Sequence, residues 1–399
     1  MKVLHIIPSI TVLRGGSNIA VVEIVKALRQ IDIDAEVVTS NDNLSTLLDV
    51  PLNYLVEYQE IPIRFFSKIH TKFTPIDEYT FSLTYVIWLY QNIQKYDVIH
   101  IHSFFSFFCT IGAIIARQKK VKYIITPHGQ LDNWVVNQGK LKKQLYTILL
   151  EKKNIQNAAA IHCTTEQEAQ DVVNFGITTP TSMISLGVNS IIEIPDAKNY
   201  LCKIYNLSST IPIILFLSRL HQKKNLEFLL EILSHVKDKR NFHLIIAGTG
   251  NIKYVQYIKA LAFSLNLKSY CTFTGFVSGR DKALLLQGAD IFTLPSFGEN
   301  FCLVLLEAMA SGLPAIITPE IQISSDILAE NAGLIVPRKL ENWVQTINYL
   351  LDSPEIRYQL GRKAKSLVTK KYNWSVTAEA LITLYNQDLR KGTTCSVNI

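Results

Sequence analysis

The chain of 399 residues is predicted to be an α/β protein with two doubly wound domains. Short apolar runs alternate with helical patterns along the whole chain, which is typical of parallel sheets that are covered by helices on both faces. At about 100–200 residues per domain, this length favours two domains. The hydrophobic fraction is 48% and the charged fraction only 18%, so the chain can build large cores and is not disordered.

The first half of the chain is predicted to contain six strands and four helices. The strands are Val3–Ile7, Ala35–Thr39, Val98–His102, Lys122–Thr126, Ala160–Thr164 and Met183–Leu186. The helices are Asn18–Gln30, Phe107–Lys119, Lys140–Asn157 and Glu166–Phe175. Each strand is a short apolar run, and each helix shows apolar residues at helical spacing.

The second half repeats this alternation. Its strands are predicted at Ile213–Ser218, His243–Ala247, Cys271–Thr274, Ile291–Leu294, Ala315–Ile317 and Leu334–Val336. Its helices are predicted at Asn225–Val236, Lys253–Leu265, Asp281–Gln287, Phe301–Ser311, Leu340–Leu351, Pro354–Lys371 and Val376–Leu389. The region Ser190–Thr210 lacks periodicity and is interpreted as a linker. We therefore expect domains at residues 1–195 and 196–375, with the last helix, at about 376–390, packing back on the first domain.

Charge and cysteine usage limit the class of partner and the compartment. The net charge of +7 and a pI near 8.9 fit phosphates or an anionic membrane surface. The sequence contains no long Lys/Arg tract that would indicate binding of nucleic acid. The six cysteines are scattered without a CxxC pair, so neither a disulfide framework nor a zinc site is predicted. With no signal peptide and no apolar stretch long enough to cross a bilayer, a cytoplasmic protein is expected, and one that can lie at the inner face of the membrane.

Glu299 and Glu307 bracket the start of a predicted helix that follows the strand ending at Leu294. Eight residues of helix would place the two carboxylates roughly 12 Å apart. A glycosidase pair needs about 5 to 9.5 Å. The two glutamates are therefore predicted to hold two ends of one long ligand rather than to attack one bond together.

Two cations lie between the strand Ile213–Ser218 and the next helix. Arg219 directly follows the strand, and Lys224 precedes the predicted helix start at Asn225. A lysine at a helix N-terminus opposes the helix dipole, which makes sense if an anion is bound there. A solvated basic turn is the alternative interpretation.

Gly15 and Gly16 lie in the loop between the first strand and the first helix, where missing side chains allow the backbone to approach a phosphate or sugar. An ordinary tight turn is equally compatible with this pattern. Gly248-Thr249-Gly250 is interpreted as a strand-to-helix turn.

His128 follows a strand, at a loop position where catalytic groups of an α/β fold collect. A hydrogen-bonded structural histidine is an equal alternative. His100 and His102 lie on one face of a strand, but the sequence offers no third ligand, so no metal site is predicted.

Two basic segments suit anionic lipid headgroups. The run Arg64–Phe73 interleaves bases with aromatic residues, and a later predicted helix carries five lysines. These are Lys140, Lys142, Lys143, Lys152 and Lys153. An aromatic core segment together with a solvated helix face would explain the same residues.

These motifs together resemble the retaining glycosyltransferases of family 4, which have the two-domain GT-B fold. The Glu-x-Phe-Gly…Glu signature of the family resembles Glu299 to Glu307, and its Arg-Leu-x-x-x-Lys resembles Arg219 to Lys224. The early Gly-Gly loop, the Pro-His-Gly at His128 and a Phe-x-Gly-x-Val ending at Val277 also align. The resemblance to the family covers nearly the whole chain. A weaker resemblance links the chain to bacterial enzymes that build surface polysaccharide or lipopolysaccharide.

The resemblance implies a donor site for a nucleotide sugar. No metal or cofactor is expected to be required, because two cations and a helix N-terminus would stabilise the diphosphate. Arg219 and Lys224 would bind the diphosphate of a nucleotide sugar, Glu307 the ribose hydroxyls and Glu299 the donor sugar. His128 would contact the sugar, and Val277 would lie near the base. The backbone of Asn300, Phe301, Cys302 and Leu303 would cap sugar and phosphate, while Gly15 and Gly16 would approach the phosphates or the acceptor.

Two positions depart from the family where it usually has glycine. Cys302 replaces one such glycine within the second signature, and Asn225 replaces another directly after Lys224. The expected activity is transfer of a hexosyl unit, with retention, to a glycan or lipid-linked acceptor. Two alternatives remain open, namely a non-hydrolysing sugar-nucleotide epimerase and a non-catalytic sugar-nucleotide-binding partner.

Overall fold

The structure is a computed structural model that describes residues 1–44, 46–69, 79–131, 151–189 and 191–387. The chain divides into two compact units. Unit 1 contains the described residues of 1–187 together with those from 374 onward, and unit 2 contains those of 188–373. Among the described helices, none has the length and apolarity to cross a bilayer.

Unit 1 is built around a sheet in which the described residues form eight strands, in the order β10-β9-β8-β7-β1-β2-β6-β5. All neighbours are parallel except β5, which runs antiparallel to β6 at one edge. The strands are β1 Lys2–Ile6, β2 Asp34–Ser40, β5 Leu55–Tyr58, β6 Ile61–Phe66, β7 Val98–His102, β8 Lys122–Thr126, β9 Ala160–Cys163 and β10 Thr181–Met183, with a separate short hairpin of β3 Asp42–Asn43 and β4 Thr46–Leu47.

The described helices of unit 1 begin with α1 Gly16–Gln30, α2 Leu83–Asn92, α3 Phe107–Gln118, α4 Lys152–Gln156 and α5 Glu166–Asn174. The last described helix, α14 Trp374–Asn386, also belongs to unit 1, where it packs against α1. The Ser106 side chain caps α3 and the Thr165 side chain caps α5, each by accepting a backbone N–H of the first turn.

Unit 2 has a parallel sheet in the order β13-β12-β11-β14-β15-β16, which is the strand order of a doubly wound nucleotide-binding fold. Its strands are β11 Ile213–Leu217, β12 His243–Ala247, β13 Cys271–Gly275, β14 Ile291–Leu294, β15 Ala315–Ile317 and β16 Leu334–Ile335. Its helices are α6 Ala197–Tyr205, α7 Leu226–Val236, α8 Ile252–Ser264, α9 Gly279–Gly288, α10 Leu303–Ala310, α11 Ser324–Ala329, α12 Leu340–Asp352 and α13 Pro354–Lys371.

The central strands are buried along their whole length because helices cover both faces of each sheet. Every residue of β11 and of β14 is buried, which explains their continuous apolar runs. In β7 every residue is also buried, although His100 and His102 alternate there with isoleucines. The side of β7 that carries His100 and His102 is therefore polar inside the core.

The structure corrects several predicted elements. The proposed linker Ser190–Thr210 contains α6, and hydrogen bonds join Val188 and Ile194 to other residues of unit 2. The Val188 amide donates to the Tyr372 carbonyl at 3.1 Å, and the Ile194 amide donates to Gln287 at 2.8 Å. The boundary therefore lies between residues 187 and 188 rather than between 195 and 196.

Further elements differ in extent. The helix predicted at Phe301 begins at Leu303, while α2, α11, β5 and β6 were not predicted. The strand predicted at Met183–Leu186 is observed at Thr181–Met183. Most of the predicted helix Lys140–Asn157 lies outside the described residues, which contain only α4 of it.

Candidate active site

Three charged residues predicted to bind a donor, Arg219, Lys224 and Glu299, lie in loops at the point where the strand order of the unit 2 sheet reverses. β11 is paired with β12 on one side and with β14 on the other, so the loops after β11 and β14 diverge toward opposite faces of the sheet. In an open α/β sheet, a ligand binds in the crevice that such loops leave at the carboxyl ends of the strands. The loop after β11 carries Arg219 and Lys224, and the loop after β14 carries Glu299.

Lys224 and Glu299 form a nearly buried ion pair between these two loops. The Lys224 Nζ lies 2.5 Å from the Glu299 Oε1, and the two side chains are only 13% and 12% exposed. The Ser296 hydroxyl donates to the same carboxylate oxygen at 2.6 Å. Burial by itself would raise the pKa of Glu299, but the charge and hydrogen bond of Lys224, the Ser296 hydrogen bond and the charge of Lys223 outweigh it, so the pKa is lowered.

A backbone hydrogen bond fixes the two loops to each other. The Phe297 amide donates to the Lys223 carbonyl at 2.8 Å, and the Ser296 Oγ lies 2.9 Å from the same carbonyl oxygen. Because this bond joins the main chain next to Lys224 with the main chain near Glu299, the ion pair is held by the loops as well as by its own attraction.

Gly248 and Gly250 hold the Arg219 loop from the other side. A Cβ atom at Gly248 would lie 1.9 Å from the Ser218 carbonyl oxygen, and one at Gly250 would lie 1.9 Å from that of Leu220. The Leu220 amide donates to the Thr249 carbonyl at 2.8 Å. This turn therefore packs directly against the backbone that carries Arg219, which is why it has no side chains there.

Arg219 is exposed and makes no hydrogen bond or ion pair with the residues that the structure describes. Lys224 retains donor capacity, because an ammonium group has three N–H bonds and the bond to Glu299 uses one. The loop therefore offers two cations with N–H groups available to an anion.

Asn225 and Cys302, the two residues that replace glycines of the family, both have a left-handed backbone conformation. Asn225 precedes α7 with φ 56°, and Cys302 precedes α10 with φ 55°. Glycine adopts this conformation without a steric penalty and asparagine tolerates it, whereas cysteine is strained there. No side chain of the described residues caps α10, so its first N–H groups are available to an anion.

The side chains around this helix start differ in role. Phe301 is buried and packs edge-on against Tyr372, with 5.5 Å between the ring centroids, so only its backbone is available to a ligand. Burial raises the pKa of the Cys302 thiol to about 12, so at neutral pH it is not a nucleophile. Asn300 and Leu303 are half-buried beside them.

Glu307 belongs to a second ion pair, which sequence analysis did not predict. The Lys282 Nζ on α9 lies 2.6 Å from the Glu307 Oε1 on α10, and both side chains are partly exposed. The two glutamates are therefore engaged by different lysines. Val277 lies half-buried in the loop that leads from β13 to α9, next to the exposed Phe276.

In unit 1, Gly15 and Gly16 form the start of α1. Gly15 has φ 114°, a conformation that favours glycine, and Gly16 is the exposed first residue of the helix. No side chain of the described residues caps α1, so its N-terminus is also open.

His128 has a left-handed backbone with φ 52°, and the next residue, Gly129, has φ 73°. The Gly129 amide donates to the buried carboxylate of Glu168 at 2.6 Å, and the Thr164 amide donates to the other oxygen of that carboxylate at 2.7 Å. Glu168 therefore fixes the loop that carries His128. Nothing in its surface-like helical sequence predicted this role.

His128 joins a buried layer of histidines on β1, β7 and β9. Burial is the largest cause that lowers the pKa of each: to about 3 for His5 and His128, to about 4 for His162, and well below the ordinary value for His100 and His102. All five rings are therefore neutral at neutral pH, each with one N–H and one bare nitrogen.

In one branch of this layer, the donor and the acceptor of every hydrogen bond can be assigned. The Nε2 of His162 lies 2.8 Å from the Ile184 carbonyl, which can only accept, so this nitrogen carries the proton. The Nδ1 of His162 then accepts from Thr126 at 2.9 Å, Thr126 accepts from the Nε2 of His100 at 2.7 Å, and the Nδ1 of His100 accepts from the Tyr385 hydroxyl at 2.6 Å.

The other branch joins three rings by two hydrogen bonds. The Nε2 of His128 lies 3.1 Å from the Nδ1 of His102, and the Nε2 of His102 lies 2.9 Å from the Nδ1 of His5. At the end of the branch, the Nε2 of His5 is buried and has no partner.

His5, His100 and His102 bring one ring nitrogen each within 4.8 Å of one another, so the structure supplies the third histidine that the sequence did not indicate. However, both ring nitrogens of His100 and of His102 are already hydrogen bonded. A metal ion would have to displace these bonds, so the donor set as arranged fits a hydrogen-bonded network better than a metal centre.

The aromatic and basic segment that begins at Arg64 is largely part of the core. Phe65 and Phe66 are buried in β6, and Lys68 is buried in an ion pair with Asp42 at 2.7 Å. These three residues therefore belong to the core and not to a membrane-facing patch. His70 to Phe73 and Lys140, Lys142 and Lys143 lie outside the described residues.

Comparison with protein families matches both units. A model described as "Glycosyltransferase Family 4" matches residues 14–190, and one described as "Glycosyl transferases group 1" matches residues 201–367. The chain belongs to the GT-B glycosyltransferases. The predicted fold class, with two Rossmann-like α/β domains, and the prediction of a GT-B glycosyltransferase are thus confirmed.

Individual relatives of this glycosyltransferase are distant. An uncharacterized glycosyltransferase of Methanocaldococcus jannaschii is 25% identical over 74% of this chain and 76% of its own length. Sucrose-phosphate synthase of Thermosynechococcus elongatus has a similar structure, with a TM-score of 0.79 at 20% identity over 97% of this chain and 99% of that chain. HepE of Anabaena, solved in complex with UDP-glucose, gives a TM-score of 0.77 at 18% identity over 97% and 100% of the two chains.

Proposed function

We propose that this glycosyltransferase moves a hexosyl unit, with retention of anomeric configuration, from a nucleotide-diphosphate sugar to a glycan or lipid-linked acceptor in cell-surface polysaccharide biosynthesis. The observation that carries the proposal is the pair Arg219 and Lys224 at the point where the strand order of unit 2 reverses. Arg219 is exposed and unpaired among the described residues, and Lys224 has spare N–H bonds. A diphosphate is the ligand group that fits two such cations.

The other contacts that we propose for the nucleotide sugar are assigned from where the residues lie in unit 2. The open N-terminus of α10, with the backbone of Asn300, Phe301, Cys302 and Leu303, would stabilise the phosphates. Glu299 would accept a hydrogen bond from a sugar hydroxyl, and Glu307 would accept one from the ribose. Val277 and the exposed ring of Phe276 would contact the base.

The catalytic contribution of unit 2 would be electrostatic. As the bond between the anomeric carbon and the diphosphate oxygen breaks, its electron pair passes to the diphosphate, whose charge Arg219 and Lys224 would stabilise. The acceptor hydroxyl attacks the same face and transfers its proton to the departing phosphate oxygen. In this scheme the two cations take the place of a metal ion, so activity would persist in the presence of EDTA.

In unit 1, the open start of α1 at Gly15 and Gly16 would approach a phosphate or the acceptor. His128 would contact a hydroxyl or other oxygen of the substrate from its fixed loop. These roles rest on the local geometry of unit 1.

We also propose peripheral contact with an anionic membrane through α2. Leu83, Ile87 and Tyr90 are 66%, 51% and 53% exposed at helical spacing, and the Lys119 ammonium lies 3.5 Å from the centroid of the Tyr90 ring. An apolar stripe next to a cation suits the boundary of headgroups and acyl chains. Sedimentation with vesicles tests this proposal: we expect binding to phosphatidylglycerol but not to phosphatidylcholine, and loss of binding in Ile87→Asp.

A donor screen by thermal shift tests the function, since a bound donor stabilises the folded protein according to its affinity. Arg219→Met should raise the dissociation constant of the stabilising donor by about 10-fold or more, because it loses a hydrogen bond to a charged group. Arg362→Met on α13 is the matched control and should bind the donor normally. Equal affinity in Arg219→Met would contradict the proposed diphosphate site.

Incubation of the enzyme with donor and an acceptor panel, followed by NMR of the product, tests retention directly. An epimerised donor without transfer would instead indicate an epimerase. Donor binding without any transfer over a broad panel would indicate a non-catalytic partner.

A further inference from the structure

The histidine branch that reaches His128 ends differently from its neighbour. The branch through His162 is closed by the Ile184 carbonyl, whereas the branch His128–His102–His5 ends at the Nε2 of His5, which is buried and has no partner. The other end of this branch is the Nδ1 of the half-buried His128. That atom has no partner among the described residues and is not among their buried unpartnered atoms.

Three neutral rings with two hydrogen bonds allow two arrangements of protons. In the first, each ring carries its proton on Nδ1, so that His5 donates to His102 and His102 donates to His128. In the second, each carries it on Nε2, so that His128 donates to His102 and His102 donates to His5. The two hydrogen bonds couple the rings, so the tautomer at one end fixes the tautomer at the other.

The buried end decides between these arrangements. In the second arrangement, the Nε2–H of His5 is a buried donor without an acceptor, and such orphaned N–H groups are rare because each costs about 1–3 kcal/mol. In the first arrangement, the unpaired N–H belongs to the Nδ1 of His128, where solvent or a ligand can accept it. Because the Nε2 of His5 has no partner, no proton can be supplied there to reverse the branch.

We propose that His102 and His5 are positioning residues that hold His128 as the Nδ1–H tautomer, so that its ring presents a hydrogen-bond donor to a substrate oxygen. The oxygen can belong to a sugar hydroxyl or to a phosphate. The substrate contact rests on the proposed function, but the tautomer does not. It follows that His128 acts as a donor at Nδ1 and not as a general base at that atom. The loop supports this role, because Glu168 fixes the Gly129 amide directly after the ring.

The tautomer can be measured without any activity assay. Long-range ¹H–¹⁵N correlation spectra of protein labelled at histidine distinguish Nδ1–H from Nε2–H, and a His128→Gln variant assigns the signal. We expect the Nδ1–H form for His128 in the wild-type protein. The Nε2–H form would overturn the proposal, and a folded variant is needed only to assign the signal, because the tautomer itself is read from the wild-type protein.

Two substitutions at the central ring separate positioning from packing. His102→Asn places an amide near the former Nδ1, so it can still donate to His128, whereas His102→Phe keeps the ring volume and removes both hydrogen bonds. We expect the Nδ1–H signal of His128 to persist in His102→Asn and to change to a mixture of tautomers in His102→Phe. His162→Gln, a buried histidine of the other branch, is the matched control and should leave the signal unchanged. An unchanged His128 signal in a folded His102→Phe would contradict the proposal.

The kinetic consequence is tested on the same variants. If the donor at Nδ1 contacts the reacting sugar, kcat should fall about 3- to 10-fold more in His102→Phe than in His102→Asn, which is the range for one hydrogen bond. Equal kcat values in these two variants would remove the substrate contact. If no transfer occurs even in the wild-type protein while the spectra behave as expected, then the proposed function fails and the positioning role stands.

Discussion

Asn225 and Cys302 lie in different loops of unit 2 but have the same left-handed backbone, with φ of 56° and 55°, directly before α7 and α10. The sequence identified both as departures from glycine, and the structure shows what the glycine would do there. Cys302 therefore carries a strain that a branched side chain would increase.

Substitution of Cys302 tests this strain. We expect Cys302→Val to lower the free energy of unfolding by about 2 kcal/mol relative to Cys302→Gly, since a β-branched residue is strongly disfavoured at positive φ. Urea unfolding measures the difference. Cys271→Val is the control, because Cys271 has φ −126° in an extended conformation and should accept valine. Equal stability of the two Cys302 variants would mean that no strain is present at this position.

Because Lys224 pairs with Glu299, we expect the pH dependence of the free energy of unfolding to be reversed in Lys224→Met. In the wild-type protein the pKa of Glu299 is lowered, so its stabilisation is present above about 4.5 and is lost as the pH falls through the folded pKa. In Lys224→Met, only the Ser296 hydrogen bond and the Lys223 charge still oppose burial, so we expect burial to raise that pKa. We then expect stability to increase as the pH falls from 7 toward 4.5, together with a loss of about 3 kcal/mol at pH 7.

Chemical unfolding at a series of pH values measures this effect. Lys237→Met is the matched control, since Lys237 pairs with the exposed Asp238 and should show a wild-type profile. A Lys224→Met profile that runs parallel to the wild type would show that the pair does not control the ionisation of Glu299.

Lys282 is expected to orient Glu307 for ligand binding without contributing much stability. The pair is partly exposed, so Lys282→Ala should change the free energy of unfolding by less than about 1 kcal/mol. If Glu307 binds the ribose, the same change should raise the dissociation constant of the donor about 5-fold, because one hydrogen bond is weakened. Titration calorimetry measures this. A normal affinity would remove Lys282 from the donor site.

Gly250 is expected to be essential for the Arg219 loop. Gly250→Ala would place a Cβ 1.9 Å from the Leu220 carbonyl oxygen, so the loop must shift. We expect a loss of about 3 kcal/mol of stability together with weaker donor binding. Gly312→Ala is the control: it meets only one atom, at 3.9 Å, and should cost about 1 kcal/mol for its positive φ while leaving donor binding intact. Equal effects of the two changes would contradict a packing role for Gly250.

Sequence analysis predicted the strands and charged loops of this site well, because buried parallel strands leave continuous apolar runs and the loops after them are short. It could not predict the pair of Lys282 and Glu307, since the two residues lie on different helices and share no periodic pattern. The left-handed backbone at Cys302 was also hidden, because nothing in the residue type indicates it.

His5 was missed for a topological reason. It lies beside His100 only because β1 pairs in register with β7, although nearly a hundred residues separate them in the chain. Once a doubly wound strand order is assumed, the inward positions of β1 and β7 can be aligned, and a histidine on each would be found. The helix α6 was missed for a local reason instead, because irregular residues on either side obscured its short amphipathic pattern.

The return of α14 to unit 1 makes unit 2 an insertion within the sequence of the first unit. During synthesis the ribosome completes unit 2 before it adds Tyr385, the residue that donates to the Nδ1 of His100. Every residue of unit 2 thus precedes α14 in the chain, whereas unit 1 is complete only when α14 has been added. A premature stop codon shortly before residue 374 would consequently damage the amino-terminal half of the molecule and spare the half that had just been translated.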